Sequence, residues 1–537
     1  MGNWKIQKRA AAAAALLLAA AAPIARAAAA AGAGWPFADR PAEGAHLFED
    51  AAGIGLYNAR VGVLFRKSDG ALLGLWSAAD GRCAVNVDDK GTVRTELWSL
   101  ELMPKGSTNP CVAKAGSTNI LWTSSGPAAR RELCGALRDV PCGSSRCEVT
   151  LRVSLAADDA GVRWRLDARP SDRTAGVWSA EFPRLFVTAF DAAPVANRIL
   201  VPYRRGAVRA YGPGQPRASS ELPYPGPSAK FQCMAAYGAE SGRGLYVAAE
   251  DGEGYSKVMT QFNEPARQGI VLGWRHFPAD RAEPGTAFQM PYAIVTQPFR
   301  GDWWDACRIY RAWWTRQEWA DRGLLAERKD VPEWLKRTPI VVRLSTTKPA
   351  RTVANNLRGA LALSDALGGR PFYGVWYGPF GGAPGQAGLE ASGHGHVLPL
   401  QPGVADALAQ LKARGIRVQA YLQSLIYQTG REEAERERAA ADGAVSRGLD
   451  GAAHYYGPAA SGDYAMCRAT EWWQRRLVDL AEHATRLLQV LIEAMPQEMK
   501  VEAPEGLMNG PVINADGRTD VVNSQEQVDD LLESLGF

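Results

Sequence analysis

The sequence predicts a multidomain β plus α/β protein: a large antiparallel β-sandwich, a linker helix, an incomplete (β/α) barrel, and a flexible acidic tail ending in a short helix. Residues 45–300 show the period-two alternation of strands. From Thr338 onward, strand and helix patterns alternate, as in parallel sheets. Residues 299–345 contain six of the 17 Trp. The predicted domains are 1–27, a signal peptide; 28–300, the sandwich; 301–338, the Trp-rich linker helix; 339–483, the partial barrel; and 484–537, the tail.

The N-terminus has the organisation of a secretory signal. Lys5, Lys8 and Arg9 precede an Ala- and Leu-rich stretch over residues 10–25. Ala25-Arg26-Ala27 then offers an A-x-A cleavage site. The alternative, a membrane anchor, fits less well because the stretch is short and weakly apolar. The sequence therefore predicts a periplasmic or secreted protein, with no stable membrane insertion after cleavage.

The clearest predicted strands form two hairpins. Residues 147–168 alternate apolar and polar side chains on both sides of a turn at 158–161. Residues 60–65 and 71–76 flank a second turn, Ser68-Asp69-Gly70. Further strands are predicted at 182–187, 244–249 and 269–274. Residues 203–228, rich in Tyr and Pro, are predicted to be a long loop that either stacks on sugar rings or packs on the sandwich.

The Trp-rich segment predicts a helix. Trp303, Cys307, Tyr310 and Trp314 recur at i, i+4, i+7 and i+11, so they predict one apolar stripe. Asp302 stands where an N-cap belongs. We expect this helix to join the sandwich to the barrel; the alternative is an ordinary core helix of one domain.

Four of the eight Cys lie close together in the β region: Cys111, Cys134, Cys142 and Cys147. In an exported protein such clustering favours disulfides, and the short turn between Cys142 and Cys147 makes that pair a candidate. The alternative is free thiols in the core. Their spacing matches no zinc site.

In the predicted barrel, chemistry is expected where strands end. These ends carry Trp376, Tyr377, Tyr421 and Gln423 as candidate substrate-binding residues. The loop after the second strand adds the candidate His394. His394 and His396 alone are a weak metal signal, so neither metal nor cofactor is predicted.

Four segments stand out in and after the Trp-rich helix: Gly301-Asp302-Trp303-Trp304, Tyr310-Arg311-Ala312-Trp313, Pro332-Glu333-Trp334-Leu335, and Met466-Cys467 before Trp472-Trp473. With the order of sandwich, Trp-rich helix and barrel, these segments resemble glycoside-hydrolase-like proteins of uncharacterised bacterial families, which are similar to the α-galactosidase and endo-α-N-acetylgalactosaminidase clans. The resemblance implies a carboxylate pair acting on carbohydrate. Glu390 and Asp463 are the candidate catalytic residues, although nothing assigns them acid and base roles and both are expected to be solvated.

The tail differs from the rest in charge. Residues 485–537 contain ten Asp or Glu and three Lys or Arg, which gives them a net charge of −7. Because the whole chain has a net charge of +4, the other 484 residues have a net charge of +11. The tail closes with Asn523-Ser524-Gln525-Glu526-Gln527-Val528-Asp529-Asp530-Leu531-Leu532-Glu533-Ser534-Leu535-Gly536-Phe537. This end resembles the C-terminus of CheZ, the phosphatase of the phosphorylated response regulator CheY. The resemblance implies that residues 524–537 form a CheY-docking helix. The residues of that helix are Gln525, Val528, Asp529, Leu531, Leu532, Leu535 and Phe537. A solvated acidic tail is the alternative.

Three hypotheses follow. The first is an exported glycoside-hydrolase-like protein, catalytically incomplete and fused at about residue 484 to a CheZ-like tail, as in a chimeric or rearranged reading frame. The second is a chemotaxis protein of the CheZ protein phosphatase type, located in the cytoplasm. The third is a non-catalytic carbohydrate-binding sandwich. Carbohydrate and CheY are the expected partners; nucleic acid is not.

Overall fold

The computed structural model describes residues 34–493, apart from 38–42, 86–95, 116–118, 205, 227–228, 339, 347–350, 381–399, 423, 428, 430–431, 449 and 456–462. The chain divides into two compact units, Met1–Asp321 and Arg322–Phe537. The predicted domain limits at 300, 338 and 483 stay predictions. Each unit is described by itself below.

The first unit is built of short strands. They are β1 (His46–Glu49), β2 (Gly53–Tyr57), β3 (Val61–Arg66), β4 (Leu72–Ser77), β5 (Ser99–Pro104), β6 (Cys111–Lys114), β7 (Ile120–Ser125), β8 (Arg130–Cys142), β9 (Ser145–Ala156), β10 (Val162–Pro170), β11 (Ala175–Glu181), β12 (Leu185–Thr188), β13 (Asn197–Val201), β14 (Ala207–Ala210), β15 (Ala218–Tyr224), β16 (Cys233–Gly238), β17 (Arg243–Glu250), β18 (Lys257–Glu264), β19 (Gly269–His276), β20 (Phe288–Gln289) and β21 (Ala293–Arg300).

These strands form three antiparallel sheets. The first has the order β1-β2-β3-β4. The ten-stranded sheet has the order β14-β13-β16-β17-β21-β10-β9-β8-β7, with β20 beside β10. The seven-stranded sheet has the order β15-β18-β19-β11-β5-β6, with β12 beside β19. One apolar core includes Phe65, Leu151, Trp164 and Trp274, which come from all three sheets. Burial of such large side chains stabilises the sandwich by about 2 kcal/mol each.

Both predicted hairpins are confirmed. β9 and β10 pair with Leu151 opposite Leu166 and Val153 opposite Trp164, so the alternating apolar residues share one face. β3 and β4 pair across a turn in which Arg66 donates to Asp69. The alternation therefore predicted both the strands and their buried faces.

The prediction of a long loop over residues 203–228 is wrong in one respect. β14 and β15 lie within this segment and pair with β13 and β18 at the sheet edges. Edge strands tolerate the Pro content that argued against strands here. The buried Tyr211 donates its hydroxyl to the Thr188 carbonyl at 3.0 Å, so this part of the segment packs on the sandwich.

The Trp-rich helix, α1 (Trp303–Trp314), begins with a capping box. Asp302 accepts from the Trp304 amide at 2.7 Å, and Asp305 accepts from the Asp302 amide at 3.1 Å. The N-cap prediction is confirmed.

Only two of the four residues in the predicted apolar stripe of α1 face the sheet. Cys307 and Tyr310 pack with the buried Ala306 on the outer face of the ten-stranded sheet. Trp303 and Trp314 are exposed instead, and Trp313 is buried. The contact face is therefore rotated from the stripe, because the small Ala306 permits close approach to the sheet.

The second unit begins with the parallel β/α pattern that the sequence predicted. Its elements are α2 (Glu333–Lys336), β22 (Val341–Ser345), α3 (Val353–Ala366), β23 (Tyr373–Tyr377), α4 (Val404–Ala413) and β24 (Arg417–Ala420). The strands pair in parallel in the order β22-β23-β24. Leu344 and Trp376 pack with Ala360 and Leu411 of the helices. Within the described residues this sheet has three strands and does not close into a barrel.

The rest of the second unit packs around two Trp. Its elements are β25 (Ile426–Tyr427), α5 (Glu432–Ala444), β26 (Tyr464–Ala465) and α6 (Glu471–Glu493). Trp473 is fully buried beside Tyr427, and its indole donates to the Ser424 carbonyl at 3.0 Å. The Trp472-Trp473 pair therefore anchors α6. The predicted fold class, β followed by α/β, is confirmed.

Candidate functional site

The candidate site lies where the three parallel strands end. Side chains alternate between the two faces of each strand. Leu344 and Trp376 face the helices, so Arg343, Tyr377 and Tyr421 belong to the opposite face. We call these three residues the rim cluster.

The rim cluster is held by ring stacking. The rings of Tyr377 and Tyr421 stack with centroids 4.0 Å apart. The Arg343 guanidinium lies 3.9 Å from the Tyr377 ring centroid. Arg343 is exposed, and both Tyr are half-buried. The cluster thus presents aromatic surface beside a permanent positive charge with several hydrogen-bond donors.

Hydrogen bonds behind the cluster fix the ends of its strands. The Thr346 amide donates to the Tyr377 carbonyl at 2.9 Å, and the Tyr421 amide donates to the Trp376 carbonyl at 2.8 Å. Gln401 donates its side-chain amide to the Gly378 carbonyl at 2.9 Å. Thr346 and Gln401 are themselves buried. These hydrogen bonds therefore hold the backbone that carries the rim cluster.

Trp376 does not join the rim cluster. Its side chain is 1% exposed and packs under the helices. Its indole donates to the Thr346 hydroxyl at 3.3 Å. The prediction that Trp376 contacts the substrate directly is therefore corrected. Because successive side chains of a strand point to opposite faces, Trp376 lies on the face opposite Tyr377, where it supports the strand ends.

The other predicted site residues lie elsewhere or outside the described residues. Asp463 is 4% exposed and stands directly before β26, so the expectation that it is solvated is wrong. Outside the described residues lie the candidates Glu390, His394 and Gln423, and the CheY-docking residues Gln525, Val528, Asp529, Leu531, Leu532, Leu535 and Phe537.

Two residues of the site were missed by the sequence prediction. Arg343 lies in the middle of β22, not at its end, and Thr346 follows that strand. Alternation along β22 places Arg343 on the face opposite Leu344, but only the register of β22 and β23 puts that face on the side of Tyr377. No comparable signal marked Thr346.

The described C-terminal ends of the three parallel strands β22, β23 and β24 carry no carboxylate. The residues at these ends are 345–346, 377–380 and 421–422. Among the described residues, no group of three His, Cys, Asp or Glu is arranged to hold a metal ion. In the part of the chain that the structure describes, no helix is long and apolar enough to cross a membrane.

A second polar cluster is buried at one end of the sandwich. Lys257 Nζ contacts Asp251 and donates to Gln232 Oε1 at 2.9 Å and to the Tyr255 carbonyl at 2.6 Å. It also lies 4.6 Å from the Tyr292 ring centroid. Burial lowers the pKa of Lys257 to about 8, against the opposing effect of Asp251.

His276 extends this cluster. Its Nε2 donates to the Phe182 carbonyl at 2.6 Å, so its Nδ1 accepts from the Tyr292 hydroxyl at 2.7 Å. Burial, together with the nearby positive charge of Lys257, lowers the pKa of His276 to about 4. Each polar group of this imidazole is satisfied in the neutral form, so the cluster has the character of a structural network.

Two family models match different parts of the chain. A domain of unknown function, DUF6259, matches residues 288–495, and the chemotaxis phosphatase CheZ matches residues 474–537. The two matches overlap in α6. The described part of that helix is anchored by Trp473, which precedes the CheZ match.

Curated relatives also fall into two groups, one similar to CheZ and one similar to a glycoside hydrolase. Protein phosphatase CheZ of Bordetella pertussis is 54% identical over 63 residues, 12% of this chain and 30% of that protein. A putative glycoside hydrolase of Monosiga brevicollis is 33% identical over 118 residues, 21% of this chain and 10% of that protein. The chain therefore spans less than a third of the length of either relative.

Solved structures extend the likeness over most of the chain. The α-N-acetylgalactosaminidase NagBb from Bifidobacterium bifidum, as a quadruple mutant, has a TM-score of 0.53 at 13% identity, covering 82% of this chain and 68% of that one. Its GalNAc complex has a TM-score of 0.50 at 14% identity, with the same coverage. The chain has a glycoside-hydrolase-like fold with a CheZ-like C-terminal segment.

Proposed function

We propose that this protein binds galactose-type carbohydrate at the rim cluster and does not hydrolyse it. The observation that supports the proposal is the stack of Arg343, in the middle of β22, with Tyr377 and Tyr421 at the ends of the next two strands of a glycoside-hydrolase-like fold. The sugar class is taken from the neighbour whose complex contains GalNAc.

The chemistry of the rim cluster suits a sugar. The apolar C–H face of a galactose-type ring packs on aromatic surface, while its hydroxyls accept hydrogen bonds from a guanidinium. Arg343 is exposed and supplies such donors beside the two Tyr rings. Because the strand ends are already held by Thr346 and Gln401, binding requires little ordering of the backbone.

The absence of hydrolysis is proposed from the carboxylates. Glycosidases of this kind need two carboxyl groups roughly 5 to 9.5 Å apart across the scissile bond. The described ends of the three parallel strands carry none, and Asp463 is buried beside a separate two-stranded sheet. Glu390 is the remaining candidate for a catalytic carboxylate that the sequence offered, so a Glu390 variant is included in the activity assay.

Aryl α-galactoside and α-N-acetylgalactosaminide should be released no faster by the purified protein than by buffer. The reason is that no carboxylate pair lies at the described ends of the three parallel strands. Release of the aryl alcohol is measured for the wild type, Glu390→Gln and Asp463→Asn. Turnover by the wild type that disappears in either variant would identify a catalytic carboxylate and refute the proposal.

We also propose export, with cleavage after Ala27. The support is the basic segment, the Ala- and Leu-rich stretch and the A-x-A site at residues 25–27. N-terminal sequencing of protein from a fractionated host tests this; an intact Met1 in the cytosol would contradict it.

A second function is proposed for the CheZ-like segment: docking on CheY. The support is the family match over residues 474–537 and the 54% identity to a CheZ protein. At helical spacing Val528, Leu531, Leu532 and Leu535 share one face, while the acidic residues lie elsewhere. An amphipathic helix of this kind docks its apolar face into a groove.

A peptide of residues 524–537 should bind CheY with a dissociation constant on the order of micromolar, because ordering a free segment offsets much of the contact energy. Its acidic residues should make the association rate depend on salt concentration. Fluorescence anisotropy of a labelled peptide measures both. A Leu532→Asp peptide is the control: equal binding by the two peptides, or no binding at hundreds of micromolar, would contradict the proposal.

A further inference from the structure

Two thiols meet between the sheets of the sandwich. Cys111 begins β6, at the edge of the seven-stranded sheet, and Cys142 ends β8 in the ten-stranded sheet. Their Sγ atoms are 2.8 Å apart. A disulfide bond is about 2 Å long, so the sulfurs need to approach by less than about 1 Å.

The surroundings hold these thiols together. Cys142 is buried and Cys111 is half-buried, with Cys111 Sγ 2.9 Å from the Cys142 carbonyl oxygen. Gly143 has a φ of +61°, and a Cβ on it would lie 3.1 Å from the Cys111 Cβ. Glycine therefore suits both the turn and the close approach of β6. The register places Cys111 opposite Leu102, which fixes β6 on its sheet.

We infer that Cys111 and Cys142 form a disulfide that links the two sheets. The reaction is thiol–disulfide exchange with an external disulfide, such as oxidised glutathione or an oxidoreductase in its disulfide form. The half-buried Cys111 thiolate attacks that disulfide and releases one reduced thiol. The Cys142 thiolate then attacks the Cys111 sulfur and releases the second. Two electrons reduce the external disulfide, and the two protons of the cysteines go to the released thiols.

The neighbouring cysteines are poorer partners. Cys134 contacts Glu132 Oε1 at 3.2 Å and Arg152 Nη1 at 3.4 Å. Cys147 is buried in β9, where it pairs with Val140, whereas Cys142 pairs with Ser145. The turn between Cys142 and Cys147 suggested their pairing from sequence, but the structure brings Cys111 to Cys142 from another sheet.

A tryptic map under non-reducing conditions decides the pairing. Trypsin places the four cysteines on four separate peptides, 106–114, 132–138, 139–146 and 147–152. The full-length protein is incubated with oxidised glutathione, alkylated and digested. We expect 106–114 linked to 139–146 with the loss of two hydrogens. A link between 139–146 and 147–152, or four alkylated peptides, would overturn the inference.

Stability gives an independent readout. The oxidised protein should melt on the order of 5 °C above the reduced protein, because the crosslink constrains the unfolded chain. Cys111→Ala should abolish this difference, whereas Cys134→Ala, a substitution on the same strand as Cys142, should retain it. A difference that survives Cys111→Ala would contradict the pairing. If that variant does not fold, the wild-type map still decides.

Discussion

Asp251→Asn should lower the free energy of unfolding of the sandwich by about 3 kcal/mol, because it leaves the buried Lys257 without a counter-charge. Both side chains are almost completely buried. Asn retains the side-chain oxygen that accepts from the Glu253 and Gly254 amides at 3.0 Å, whereas its NH2 group replaces the oxygen that accepts from Lys257, so the change removes both the counter-charge and this acceptor. Urea unfolding measures the loss, and hydrogen exchange of β18 and β19 peptides assigns it to this unit.

Two variants control the interpretation. Glu221→Gln removes an exposed partner of Arg275 on the same sandwich and should cost less than about 1 kcal/mol. Asp251→Asn combined with Lys257→Met should recover much of the loss, since no charge then remains buried. Equal losses of unfolding free energy in Asp251→Asn and Glu221→Gln would show that the buried ion pair stabilises the sandwich no more than the exposed one.

Acidification from pH 6.5 to pH 4 should remove about 3 kcal/mol of sandwich stability through His276 alone. Burial lowers its pKa from 6.5 to about 4, so the unfolded chain binds the proton first as the pH falls. The stability that depends on a neutral His276 is fully present above pH 6.5. It declines as the pH falls through this window, and the loss levels off below about pH 4. Urea midpoints measured across the window give the slope.

His276→Gln should flatten this slope, because the amide does not titrate. It should also lower stability at neutral pH by about 1–3 kcal/mol, since the contacts to Phe182 and Tyr292 change. His454→Gln, at an exposed position, is the matched control and should keep the wild-type slope. An unchanged slope in His276→Gln would contradict the assignment.

Local patterns predicted much of the fold. The alternation in β9 and β10 placed Leu151 and Trp164 in the core, and Asp302 marked the start of α1. The alternation of strands and helices predicted the parallel pairing of β22, β23 and β24. Each of these features depends on residues near one another in sequence, where propensity and capping are readable.

Features set by distant contacts were not predictable. The rotated face of α1 depends on Ala306 fitting against Cys233 and Ala235, which lie on β16. The approach of Cys111 to Cys142 depends on how two sheets pack. At the site, Tyr377 and Tyr421 were identified from strand ends, but the contribution of Arg343 required the sheet register.

Binding calorimetry with GalNAc tests whether the rim cluster recognises carbohydrate. We expect a dissociation constant on the order of 1 mM for the wild type. Tyr421→Leu should weaken binding roughly five-fold through lost aromatic contact. Tyr373→Leu, at the opposite end of β23, should bind as the wild type does. No detectable heat with the wild type, or equal weakening by both substitutions, would contradict the assignment of the rim cluster.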